Sequence, residues 1–252
     1  MSVVAVVRIL AVVTVLAVVA VVLIPRLAGL GKPSASVPPP DWAPPVAAVA
    51  PTPAATVTSA GIVALVDPSW AAAAAAATGI SDRAVLAYAG AALLKQSDDP
   101  ECRLSWTTLA AIGKAESGNG THDGSVVGPD GTVSPPIYGV ALNGGGVALI
   151  PDSDGGAIDQ DAAADRAVGP MQLIPQTWRN WHTDGNGDGV QDPQNIDDAV
   201  VATSNYLCRA SSGLDTESGW RSAIAAYNSA PSYLAKVATF AVRYNRLIAA
   251  AG

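Results

Sequence analysis

From residue 58 onward, apolar residues recur at intervals of three and four, the spacing that lines one face of an α-helix. Residues 68–77 follow Asp67 in an N-cap position and begin with Pro68 at the first helical position, so a helix is predicted there. Residues 81–96 follow Ser81 and carry the stripe Val85, Tyr88, Ala92 and Leu93. A third helix is expected over about 105–117, with Trp106, Leu109 and Ile112 on its apolar face. Helical patterns resume at 174–182, 196–210, 217–229 and 231–250. Between them, residues 118–168 are rich in Gly, Pro, Asp and Ser, with short apolar runs at 125–127, 137–142 and 147–150. That stretch predicts a long excursion with a small hairpin or two. Loops of this length inside a compact domain are usually functional. The pattern as a whole predicts a mostly α domain over residues 58–252.

One position breaks the pattern. Glu116 lies one turn beyond Ile112 on the stripe that should face the core or a cleft, and Ser117-Gly118-Asn119-Gly120 then ends the helix. Most helical glutamates are simply solvated. Here, burial and the negative end of the helix dipole would both raise the carboxyl pKa. A carboxylic acid still protonated near neutral pH is suited to hand a proton to a leaving oxygen.

The N-terminal region has a different pattern. Residues 9–24, ILAVVTVLAVVAVVLI, are apolar except for Thr14, and extending the run back to Val3 includes Arg8. The length nearly spans a bilayer and fits a membrane anchor; a basic residue before an apolar run also fits a signal peptide. Residues 1–32 are therefore read as anchor or signal, and either exports the rest of the chain. Residues 33–57, dense in Pro and Ala, are read as a semi-rigid spacer.

Net charge is −7, so a nucleic-acid partner, which needs a basic footprint, is not expected. Cys102 and Cys208 are the only cysteines. In an exported chain they are expected to form a disulfide, the alternative being two buried free thiols. His122 and His182 are the only histidines and no nucleophile elbow is present, which leaves Ser-His-Asp chemistry without support.

Two further motifs lie downstream of Glu116. RAVGPMQLIP (166–175) is a Gly-Pro turn feeding a helix, with Gln172 near its start, and AAYNSA (225–230) puts Tyr227 and Asn228 at a helix end. Taken singly they read as an ordinary turn, a core tyrosine and a C-cap. In the order E-S, G-P-M-Q, A-Y-N they resemble the lysozyme-like lytic transglycosylases, and most closely the membrane-bound lytic transglycosylase B type of actinobacteria. Matching stretches include CRLSWTTLAAIGKAESGNG (102–120), DGTVSPPIYGVALNG (130–144), DRAVGPMQLIPQTW (165–178), DGNGDGVQDPQNIDDA (184–199) and GWRSAIAAYN (219–228).

The resemblance implies a lysozyme-like α-helical domain that cleaves the bond between N-acetylmuramic acid and N-acetylglucosamine in peptidoglycan. Glu116 would be the sole acid/base. Gln172, Tyr227 and Asn228 would contact the glycan, and Ser117 is placed with them while also supporting the helix end behind the acid. Some relatives carry a serine a few residues ahead of the Gly-Pro turn; here that stretch reads AAADRAVGPMQ. Two-carboxylate glycosidases need a partner acid. In this family the substrate's own C6 hydroxyl takes that place and closes a 1,6-anhydro ring, so no cofactor is required for the chemistry. The alternatives are a hydrolytic muramidase on the same fold and a non-catalytic peptidoglycan-binding protein. The setting would be the bacterial cell envelope, outside the cytoplasm, with cell-wall synthesis or division proteins as possible neighbours.

DGNGDGVQD (184–192) matches the opening of an EF-hand-like calcium loop. Asp184, Asn186 and Asp188 stand at positions one, three and five, and the Val190 carbonyl at seven. Position twelve is Asn195, not Glu. The resemblance implies a longer loop closed by Asp198, with Asp192 and Asp197 as alternatives, and hence a structural calcium ion. The plain alternative is an acidic turn leading into the helix at 196.

Overall fold

The computed structural model of the chain describes residues 49–251. The anchor or signal (1–32) and the spacer up to residue 48 lie outside the described residues. The described part is an α-helical domain with one two-stranded sheet.

Helix α1 (Pro68–Thr78) starts where Asp67 Oδ1 accepts from the amides of Ser69 and Trp70, both at 2.9 Å. It ends at Gly79, in the left-handed region at φ 73°. Helix α2 (Asp82–Asp98) is capped by Ser81 and runs through the core, with Val85, Tyr88 and a series of alanines buried. Small side chains on nearly all sides let neighbouring backbones approach closely. Helix α3 (Trp106–Ser117) is capped by Ser105 and stopped by Gly118 at φ 65°. A close approach also constrains its middle: a Cβ on Gly113 would lie 2.0 Å from the Tyr88 hydroxyl.

The excursion then begins. Strand β1 (Val126–Val127) pairs antiparallel with β2 (Val133–Ser134). Only the first of the three apolar runs forms a strand, and its partner lies outside all three. Ser134-Pro135-Pro136 ends the ladder, because proline has no amide to donate. The runs at 137–142 and 147–150 form isolated bridges instead, Tyr138 with Val168 and Asn143 with Leu149.

Helices α4 (Pro175–Trp181), α5 (Ile196–Ala210), α6 (Glu217–Tyr227) and α7 (Pro231–Ala251) complete the domain. Helix α7 lies along α3, and α5 packs on α2, α3, α4 and α6. The largest fully buried side chains are Trp106 and Trp220, and the Trp220 indole donates to Thr108 Oγ1 at 3.0 Å. Arg83 forms a forked pair with buried Asp197, at 2.8 and 2.6 Å, and its Nε donates to the Pro129 carbonyl. The base of the excursion is thus tied to α2 and α5.

Cys102 and Cys208 are joined, linking the segment before α3 to the last turn of α5. Residues 49–57, the end of the segment read as a spacer, are hydrogen-bonded to the domain. Ala54 N donates to Leu65 O, Asp67 N to Thr52 O, and Trp106 Nε1 to Val49 O.

Candidate active site

Glu116 sits in the last turn of α3, partly buried. The phenol of Tyr233, the third residue of α7, donates to its Oε1. Burial pushes the Glu116 carboxyl up from 4.5 to about 7, against the opposing effects of the Tyr233 hydrogen bond and the Lys236 charge. Lys236 Nζ donates to the neighbouring Ala115 carbonyl at 2.9 Å. Among the described residues no carboxylate shifts Glu116. The arrangement holds a carboxyl group whose burial favours the protonated form, with one oxygen fixed by a phenol.

Ser117, expected among the substrate contacts and as a support of the helix end, is buried. Its Oγ donates to the Pro170 carbonyl at 2.6 Å and accepts from the Gly120 amide at 2.8 Å. The hydroxyl ties the end of α3 to the Gly169-Pro170 turn and faces no solvent. That turn depends on glycine: Gly169 has φ 72°, and a Cβ there would lie 1.8 Å from the Pro193 carbonyl oxygen. Gln172 comes next with φ 49°, a strained backbone for a non-glycine residue. Its amide donates through Nε2 to Gly169 O at 3.0 Å, and its Oε1 lies beside Gly139 of the excursion.

Tyr227 ends α6 and donates to the Met171 carbonyl at 2.5 Å, joining α6 to the G-P-M-Q turn. Its ring stacks on Tyr233, with centroids 6.4 Å apart and an interplanar angle of 11°. The Tyr206 ring meets Tyr227 edge-on at 5.9 Å, and Trp181 meets Tyr206 at 6.3 Å. Four aromatic rings therefore run outward from the carboxyl. The structure brings together Glu116, Ser117, the Gly-Pro turn and Tyr227. Asn228 is exposed, caps α6, and accepts from Ala230 N through Oδ1. Among the described residues no hydrogen bond joins it to Glu116.

Tyr233 and Tyr206 were missed by the sequence reasoning. Tyr233 lies six residues beyond Tyr227, just after Pro231 starts a helix. An aromatic residue in the first turn of the helix after A-Y-N was the available signal.

The acidic loop curls around Asp184. Its Oδ1 accepts from the amides of Gly187 and Asp188, and its Oδ2 from Gly189. Asn186 Nδ2 donates to Asp188 Oδ2, and Asp188 Oδ1 accepts from Val190 N. Asp198, fully buried, accepts from Gly185, Asn186 and Asp192. Burial pushes its carboxyl up to about 6, and the nearby Asp184 charge adds to this. Asp197 pairs with Arg83 instead, and Asn195 caps α5. The donors are all oxygen, and a buried carboxylate faces another of like charge, a combination that suits a hard divalent cation. The carboxylates of Asp184, Asp188 and Asp198 do not all converge within 4.8 Å; among the described aspartates that closeness occurs at Asp152, Asp154 and Asp165.

Residues 159–239 match the model of the transglycosylase SLT domain family. Neither a curated protein nor a solved structure matches the chain. The match spans about a third of the chain, from the end of the excursion into α7. It includes Gln172, the acidic loop, Tyr227, Asn228 and Tyr233, and it stops short of Glu116. It supports a lytic transglycosylase acting on peptidoglycan, in the cell envelope. The hydrogen bond from Tyr233 to Glu116 joins the matched segment to the carboxyl outside it.

Proposed function

We propose that the protein is a peptidoglycan lytic transglycosylase of the membrane-bound lytic transglycosylase B type, with Glu116 as its single acid and base. The observation that carries this reading is the part-buried Glu116 carboxyl at the end of α3, held by the Tyr233 phenol from within the transglycosylase-matched segment.

In this mechanism neutral Glu116 protonates the glycosidic oxygen between N-acetylmuramic acid and N-acetylglucosamine, and the C1–O bond breaks. The muramyl N-acetyl group supports the positive charge at C1. The C6 hydroxyl oxygen then bonds to C1, and ionised Glu116 takes its proton, which restores the acid. No water enters, and the product ends in a 1,6-anhydro ring. The internal hydroxyl competes well with solvent because its effective concentration is high. Tyr233 keeps one carboxyl oxygen occupied, which leaves the other for proton transfer. Gln172, Tyr227 and Asn228 hold the saccharide, and the aromatic row from Tyr233 toward Trp181 offers faces for sugar rings.

Asp184, Asn186, Asp188, the Val190 carbonyl and Asp198 would hold a calcium ion. Its role is structural: it would neutralise the loop's acidic groups and fasten the start of α5 beneath them.

Digestion of sacculi in heavy-oxygen water tests the reading. Unlabelled anhydromuramyl ends are expected. Label at the new muramic acid ends would identify a hydrolytic muramidase instead.

A further inference from the structure

Further along α7 from Tyr233, where that helix meets Lys114 and the turn after α3, lies a pocket. Two residues along a helix turn the side chain by roughly 200°, so Lys114 points away from the face that carries Glu116. Lys114 lines a cavity of about 310 Å³ with Arg243 and Tyr244 of α7, buried Asn119, and an apolar wall of Ile80 and Phe240. None of the described lining residues is acidic, in a chain of net charge −7. Among the described residues, neither Lys114 nor Arg243 has an ion-pair partner.

A hydrogen-bond chain ends in this pocket. Tyr88 is fully buried and donates to Asn119 Oδ1 at 3.1 Å. A buried phenol proton needs an acceptor, and this one sets the orientation of the Asn119 amide. Asn119 Nδ2 must then face Tyr244, and it donates to that hydroxyl at 3.4 Å. Tyr244 therefore accepts, and among the described residues its own proton has no acceptor. The residue is only 4% exposed, and it lines the pocket. The chain runs in one direction and delivers a donor into a cavity that already holds two cations.

We propose that this pocket binds the carboxylate of a small ligand, with the Tyr244 hydroxyl donating to it, Lys114 and Arg243 neutralising it, and Ile80 and Phe240 packing against its apolar body. The site is separate from the glycan chemistry and does not rest on it. Two sources share this chemistry, a free small acid and the carboxyl end of a short peptide.

Isothermal titration calorimetry on the full-length protein, with three probes, tests the proposal: sodium acetate, N-acetyl-alanyl-alanine and the C-terminal amide of that dipeptide. The dipeptide acid is expected to bind with Kd about 1 mM or tighter, and the amide at least tenfold more weakly. Acetate binding as tightly as the dipeptide acid would point to a free small acid; a preference for the dipeptide would point to a peptide end. Tyr244→Phe keeps the ring and removes the donor, and should weaken the acid about three- to tenfold. Lys114→Gln with Arg243→Gln changes only exposed side chains and should abolish binding. Glu116→Gln should leave it unchanged. The proposal is overturned if acid and amide bind alike, if neither binds, or if the double Gln variant binds as the wild type does.

Discussion

Tyr233→Phe removes one hydroxyl from contact with Glu116 and leaves the stacked ring. Burial raises the Glu116 carboxyl from 4.5 to about 7, and the Tyr233 hydrogen bond opposes that rise. A hydrogen bond to a charged acceptor contributes about 1.5–3 kcal/mol, and one pKa unit corresponds to about 1.4 kcal/mol. The full loss would thus move the carboxyl up by about one to two units. Glu116 is only partly buried, so water can replace some of the lost interaction and the lower figure is expected. The proposed mechanism needs the protonated acid in the free enzyme, so kcat/KM on solubilised glycan strands should fall above about pH 7 in the wild type. In the variant that midpoint should rise by about one unit, and the plateau should drop as the carboxyl loses its fixed orientation. A midpoint that stays in place or moves down would refute the claim that Tyr233 stabilises the ionised carboxylate. Stability must have the same sign. The folded-state pKa lies above the unfolded one, so the folded protein binds more protons between about pH 4.5 and 7. Stability is fully present below that window and is lost as pH rises through it.

Glu116→Gln should fold, bind peptidoglycan and lose at least about a hundredfold in turnover; near-normal digestion of sacculi would remove Glu116 from the mechanism. The same variant should melt a few degrees above the wild type at pH 8 and equally at pH 4, because it carries no buried charge to ionise. Millimolar calcium should raise the melting temperature by mass action, and Asp184→Ala with Asp188→Ala should remove most of that shift. If a chelator leaves the wild-type curve unmoved, the loop is only a turn. Reduction of the Cys102–Cys208 bond, which closes a separation of 106 residues, should cost about 4–5 kcal/mol in denaturant titration. A loss under 1 kcal/mol would show that the bond is not what holds the ends of α3 and α5 together.

The helices were legible because their signals are local. Asp67, Ser81 and Ser105 cap backbone amides two or three residues away, and Gly79 and Gly118 stop helices with their own φ angles. An apolar stripe needs only its own period, and this made Glu116 conspicuous as the polar member of one. The turn around Asp184 is equally local, since the hydrogen bonds that the Asp184 carboxylate accepts span five residues or fewer. The hairpin was less so. A two-residue strand has almost no period to read, and Val133 was found only as the partner of Val127.

The candidate site divides along the same line. The sequence alone determined where Glu116, the Gly-Pro turn and the Tyr-Asn pair stand, with Glu116 and Tyr227 at the ends of helical segments and the turn ahead of one. The tertiary structure decided what each one touches. Ser117 became a strut because Pro170, 53 residues away, presents its carbonyl. Asp197 pairs with Arg83 while Asp198 lies under the acidic loop; the helix turns the two side chains about 100° apart, and the packing of α5 decided that α2 lies on one side and the loop on the other. Tyr233 reaches Glu116 across 117 residues because α7 packs along α3. A period or a cap is written in residues a few positions apart, whereas a hydroxyl meets a carboxylate only after whole helices have buried their apolar faces against each other.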